Sequence, residues 1–302
     1  MEISFEIPTP AHKAAVQTIL EAAGAMENDA AFANLYLLRR KYGTELAFRQ
    51  NMLLRRYTEG FRAGCYGFPL GCGDLKAAVS CLQADARARG IGLRMTLLTE
   101  EMCALLEQVC PGAFLFTEAE GYDEYLYLRE DLAAMRGSRY HRKRNHMAQF
   151  WRQNPDGEIQ PLIPENADLA VDVARQWLMA RENPADPALQ AEFSCICEAA
   201  AHMRALHMEG LLLYAEGKPI GMTMVSRIAG DVYDVHFEKV VPYQPHAWPV
   251  VANEMAKCLP HARYLNREED LGESGMRAAK ASYYPAMIRK KYIARLKESS
   301  LC

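Results

Sequence analysis

The apolar positions in the second half of the chain switch between helical and alternating periods. Gly157–Ile163 reads as a strand after the turn Asn154-Pro155-Asp156-Gly157. Glu165–Glu182 carries Leu169, Val173 and Trp177 at helical spacing, and Pro187–His207 resumes that pattern after the Asn183-Pro184 break. Three strands follow, Glu209–Glu216, Pro219–Arg227 and Val232–Val240, joined into a meander by the tight turns Gly217-Lys218 and Gly230-Asp231. The pattern then predicts a helix over His246–Leu259, a strand over Ala262–Asn266, a helix over Ser274–Tyr283 capped by Ser274, and a last strand over Met287–Leu296.

The first half repeats that order. Glu2–Ile7 reads as a strand, Thr9 caps a helix with Pro10 at its first position, and Asp29–Tyr42 reads as a second helix. Glu45–Arg49, Met52–Tyr57 and Cys65–Phe68 are candidate strands. A helix over Asp74–Arg89, a strand over Gly92–Leu98, a helix over Thr99–Val109 and closing strands Phe114–Thr117 and Glu124–Leu128 follow. Two α/β domains are expected, residues 1–135 and 136–302, the second preceded by a linker helix over about 138–153.

A length of 302 residues with 50% hydrophobic positions fills two cores without disulfides or metals, which excludes a disordered chain or a small stapled scaffold. No apolar run reaches the roughly 20 residues of a membrane helix, and Met1–Pro10 lacks the features of a signal peptide, so a cytoplasmic protein is expected. The nine cysteines are odd in number and form no CxxC pair; reduced, mostly buried thiols and no metal are expected. The net charge of −3 conceals a segregation. Residues 136–152 hold six Lys/Arg and no Asp/Glu, between halves with 13 against 18 and 16 against 20.

Several stretches carry a family resemblance: Arg139-Tyr140-His141-Arg142-Lys143-Arg144-Asn145-His146, Phe237-Glu238-Lys239, Tyr264–Gly272 and Gly275-Met276-Arg277-Ala278-Ala279-Lys280, with Tyr66-Gly67-Phe68-Pro69 and Gly71-Cys72-Gly73-Asp74 in the first half. Together with the element order they resemble a bacterial family of tandem-GNAT proteins that carries the phosphatidylglycerol lysyltransferase C-terminal domain. The resemblance covers nearly the whole chain. It implies two GNAT-like (acyl-CoA N-acyltransferase) domains, each a splayed mixed sheet flanked by helices, in a soluble branch whose reaction is unassigned.

Four constellations are candidates for chemistry. Phe68–Asp74 lies where acetyltransferases of this fold hold a Gln/Arg-x-x-Gly-x-Gly/Ala loop for the coenzyme A pyrophosphate, and Gly71 and Gly73 supply the Gly-x-Gly half. Phe68 replaces the Gln/Arg, and Asp74 adds negative charge, as in a plain glycine turn with a helix cap. The matching loop of the second half, Val241–Trp248, has two prolines and no glycine. Strict alternation along Tyr233–Lys239 puts Asp234, His236 and Glu238 on one face, lining the splay or simply facing solvent. Glu238 or His236 there would take the proton of an attacking amine.

The third constellation is Asn266-Arg267-Glu268-Glu269-Asp270, with Lys280, Tyr283 and Tyr284 downstream. Arg267 would clamp a carboxylate or phosphate, Glu268 or Asp270 would hold a substrate ammonium, and Asn266 and Lys280 would line the same edge. Tyr283 or Tyr284 would protonate the leaving group; an ordinary hydrophilic loop is the competing account. The fourth is the basic island, where Arg142, Lys143 and Arg144 would contact RNA phosphates or belong to a helix that neutralises two acidic halves.

These readings converge on an acyl- or aminoacyltransferase that acts on an amine or hydroxyl acceptor by direct attack, with its main site in the second half. No Ser-His-Asp or Cys-His set stands out in the sequence. No tightly bound cofactor is expected; the donor is a coenzyme A thioester or an aminoacyl-tRNA, and the acceptor a small molecule or a lipid headgroup. The alternative is a non-catalytic ligand- or RNA-binding protein on a degenerate tandem scaffold.

Overall fold

Each of two seven-stranded mixed sheets is completed by a strand from the other half of the sequence. The computed structural model describes residues 3–297. In the first sheet, Thr44–Arg49 (β1) and Met52–Tyr57 (β2) form a hairpin, Cys65–Tyr66 (β3) and Leu70–Gly71 (β4) both pair with β2, Arg94–Leu98 (β5) lies parallel to β3, and Phe114–Glu118 (β6) forms the far edge. The next strand, Glu124–Leu128 (β7), leaves this sheet for the second one. There it joins Glu158–Pro161 (β8), Glu209–Ala215 (β9), Lys218–Ala229 (β10), Val232–Val240 (β11), Tyr264–Asn266 (β12) and Met287–Arg289 (β13), in the order β13-β7-β12-β11-β10-β9-β8. Finally Tyr292–Leu296 (β14) returns to the first sheet between β5 and β6.

The exchange corrects two expectations. Glu124–Leu128 does not close the first half, and Met287–Leu296 is not one strand. The break falls at Lys290-Lys291, where Lys291 is 1% exposed. Its ammonium lies 2.5 Å from Glu124, itself fully buried on β7, and 3.8 Å from Asp29. Arg55 on β2 holds the other oxygen of Asp29 at 3.0 Å. The two exchanged strands are thus locked by buried charge where they cross.

Helix boundaries follow local chemistry. Asp74 caps the helix Leu75–Ala88 by accepting from Ala77 N at 3.0 Å, and Ala78, Val79, Leu82 and Ala86 form its buried stripe. The expected helix Asp29–Tyr42 is broken into a 3-10 turn and two short helices, Phe32–Leu37 and Arg39–Tyr42, because its residues bury on several sides. The expected strand Glu2–Ile7 is reduced to a single bridge between Glu6 and Leu46, Glu2 lying outside the described residues. Ser274 is the first residue of its helix, not its cap. All eight described cysteines are free, and Cys72 and Cys258 are exposed.

Candidate active site

The parallel pairing of β11 with β12 ends at Asp234 and Asn266, and beyond that point the strands part. Two residues on, β11 carries a bulge. Met224 of β10 faces Phe237 and Val225 faces Val235, which leaves His236 as the extra residue. The extra residue resets the alternation, so Glu238 shares a side with Val235, whereas His236 stays with Asp234. The expectation that Asp234, His236 and Glu238 line one cleft face is therefore corrected.

Glu238 and Arg267 bridge the opening between the parted strands. Arg267 Nη2 donates to Glu238 Oε1 at 2.9 Å, and the guanidinium sits 4.7 Å from the Tyr283 ring and 5.6 Å from that of Tyr127. Its Nη1 is buried without a partner. Lys143 joins from the helix His141–Gln153: its ammonium donates to Ser282 Oγ at 2.8 Å and lies 3.7 Å from the Tyr283 ring centre. Burial, with Arg267 nearby, lowers the Lys143 amine to about 8. Burial also raises Tyr283, which keeps its proton. Tyr284, at φ +56° and 44% exposed, points away and packs on Tyr140. Free space at this cluster is about 10 Å³, bounded by Leu132, Val235, Ala252, Met255 and Leu265.

On the opposite side of β11 lies a sealed polar chain. His236 accepts or donates at Ser226 Oγ over 2.7 Å, while its Nδ1 is 3.1 Å from Asn34 Oδ1 and 3.4 Å from Asp234. Asn34 Nδ2 also donates to Asp234 and to Glu268, each at 3.0 Å. Ser226, His236 and Asp234 lie side by side, but the Nδ1 of His236 bonds to Asn34 and not to Asp234. Ser226, His236 and Asp234 are all buried, and none lines a described cavity, so the arrangement ties the halves together through Asn34. Burial and the neighbouring Glu268 push Asp234 well above the usual carboxylate range.

The remaining residues of the polar run are engaged with groups of the protein itself. Asn266 donates to Glu124 at 2.7 Å and to Met26 O at 3.0 Å. Asp270 accepts from Tyr125 at 2.6 Å and from Arg277 at 2.7 Å; the Arg277 hydrogen bond holds it down at about 2. Lys280 donates to the carbonyls of Arg267 and Glu269, fixing the loop that carries Arg267. Burial lowers the Lys280 amine from 10.5 to about 8. Between about pH 8 and 10.5 the unfolded chain therefore holds the extra proton, and the Lys280 contribution to stability rises with pH across that window. Urea titrations at both ends should give a less positive change in stability for Lys280→Met than for the unaltered chain. An equal slope in the variant would remove Lys280 from the account.

The first half presents the more open splay. β3 and β5 share one parallel pair, Tyr66 with Met95, and a cavity of about 700 Å³ lies past it, lined by Phe68–Gly71, Thr99–Met102 and Met287–Lys290 among others. Gly71 borders it, at φ +138°, yet a Cβ there would fall 2.0 Å from Asn51 O, and one at Gly73 2.2 Å from Gln50 O. Both glycines are required by packing against the β1–β2 turn. In the basic island, Arg144 donates to Met135 O and Gly137 O, Lys143 turns into the Tyr283 cluster, and only Arg142 of the three is exposed.

In each sheet a parallel pair, β3 with β5 and β11 with β12, is followed by a strand inserted from the other half of the sequence, β14 in one and β7 in the other, and this shared order defines a tandem GNAT-like fold. The chain matches the family described as phosphatidylglycerol lysyltransferase, C-terminal, over residues 22–295, and it belongs to that family. Among solved structures it is similar to a conserved protein of unknown function from Bacteroides thetaiotaomicron, with 32% identity and TM-score 0.94, covering 98% of this chain and 100% of that one. It also shares its fold with L-PGS from Bacillus licheniformis, at 14% identity and TM-score 0.68, covering 100% of this chain and 96% of that one. No curated protein sequence matches it. No helix among the described residues is long and apolar enough to cross a membrane.

Proposed function

We propose that the chain is an acyl- or aminoacyltransferase whose reaction centre is the Glu238–Arg267–Tyr283–Lys143 cluster. The observation that carries this reading is the convergence of a carboxylate, a protonated phenol and a readily neutralised amine on one guanidinium where β11 and β12 part. An acceptor amine or hydroxyl attacks the activated carbonyl, Glu238 takes its proton, and Tyr283 returns one to the leaving group as the intermediate collapses. Arg267 binds an anionic group on either substrate through its unpartnered Nη1. The Glu238–Arg267 pair closes the opening, so substrate entry must part it.

Aminoacyl-tRNA is the favoured donor, because neither helix terminus that would hold a pyrophosphate is suited to it. Asp74 caps one, and Pro249 and the proline-rich loop before it strip N–H donors from the other. The acceptor is a small molecule or a lipid headgroup. Thermal-shift titrations with coenzyme A, acyl-CoA and charged tRNA test the donor, since binding to the folded state alone raises stability. Charged tRNA should stabilise the chain and coenzyme A should not; the reverse outcome overturns the donor assignment. The second reading, a ligand- or RNA-binding protein without catalysis, rests on the roughly 10 Å³ of space beside Glu238. Binding of charged tRNA with no transfer or loss of the aminoacyl group would favour it.

A further inference from the structure

A cleft of about 600 Å³ separates the helix Lys13–Ala23 of the first half from β9, β10 and β11 of the second, away from the cluster described above. Lys13, Gln17, Glu21, His207, Arg227 and Tyr233 line it. Its charges are unevenly partnered. Arg227 and Glu21 pair at 2.8 Å, and Glu21 further accepts from Gln17 at 2.9 Å and from Gly230 N at 2.7 Å, so that carboxylate is fully engaged. Lys13 is only 8% exposed, and among the described residues no carboxylate lies within ion-pair distance of it. Its ammonium lies 5.5 Å from the centre of the Phe32 ring.

We propose that this cleft binds a small molecule bearing a carboxylate or phosphate, with Lys13 as its principal contact. The Lys13 stem is buried while its ammonium meets the cleft without a counter-charge, and an anion seated there supplies one. Arg227 lines the same cleft but is already paired with Glu21 and adds little potential of its own, while burial and Lys13 lower the His207 imidazole, which stays neutral and offers only an N–H donor. Ala14 brings the first turn of the helix to the same space, and Pro10 and Ala11 bring the 3-10 turn that leads into it. Glu209, the remaining carboxylate of the lining, is exposed and solvated, so it opposes the anion weakly. Burial and Arg227 lower the Lys13 amine, in keeping with a positive charge held there without compensation. The volume suits a metabolite-sized ligand.

Calorimetric titration of the full chain with inorganic phosphate and, separately, with citrate tests the proposal and distinguishes the two chemistries. At least one should bind saturably. Lys13→Met, which keeps the aliphatic stem, should weaken that binding by at least about tenfold, whereas Lys13→Arg should retain it. Should the methionine variant fail to fold, the unaltered chain gives a second measurement: acetic anhydride labelling of Lys13, read by mass spectrometry, should slow when the anion is present. Absence of saturable binding by both anions overturns the proposal. So does unchanged affinity in Lys13→Met, or labelling of Lys13 that the bound anion leaves unaffected.

Discussion

Lys291→Ala is expected to lower the unfolding free energy by about 3–5 kcal/mol, the usual cost of stranding one partner of a buried ion pair. The residue stands between β13 and β14, where the chain passes from one sheet to the other, and its ammonium meets Glu124 on the strand that crosses in the opposite direction. Burial already pushes Glu124 up to about 7, with Lys291 the largest influence holding it down. Loss of the lysine should therefore cost more at pH 8, where Glu124 would be stranded as a carboxylate, than at pH 5, where it is protonated. Urea denaturation at the two pH values measures both quantities. The double variant Lys291→Met, Glu124→Gln should recover part of the loss, because it removes the stranded charge while the amide oxygen can still accept from Asn266. A single variant within about 1 kcal/mol of the unaltered chain would show that the crossing does not depend on this pair.

The hairpins were legible because their determinants are local. Gly217 at φ +69° and Gly230 at φ +53° make the two turns of the β9–β10–β11 meander, and both were readable as glycine turns. The strand exchange was not legible, because pairing of β7 with β12 and of β14 with β5 joins residues more than a hundred positions apart and leaves no local mark. Lys291 was a weak clue, since it is one of four basic residues in a stretch read as a strand. The bulge at His236 was missed for a different reason: it needs no glycine, so the sequence still alternates while the backbone does not. That single extra residue separated Glu238 from His236. Arg267 could be named from its place after a strand, and Tyr283 or Tyr284 from the end of a helix, but which tyrosine meets Arg267 could not. Lys143 was recognised as basic but not as inward-facing, since nothing in a run of Arg and Lys tells which one bends over an aromatic ring.

Glu238→Gln should lower turnover by about 10²- to 10⁴-fold once a substrate pair is in hand, the range expected when a general base is removed. The same change acts on stability through Arg267. Glutamine still accepts a hydrogen bond from Nη2, but the guanidinium, already without a partner at Nη1, loses its counter-charge in a buried setting. A destabilisation of about 1–3 kcal/mol should accompany the loss of rate. The two effects separate by temperature: well below the melting transition the variant is folded, and its remaining deficit is chemical. Lys143→Met provides the comparison, because it leaves the Glu238–Arg267 pair intact while removing the amine over Tyr283. If Glu238 is the base, Lys143→Met retains most of the rate and Glu238→Gln does not. If the pattern is reversed, the proton passes to Lys143, and Glu238 serves only to hold Arg267 across the parted strands.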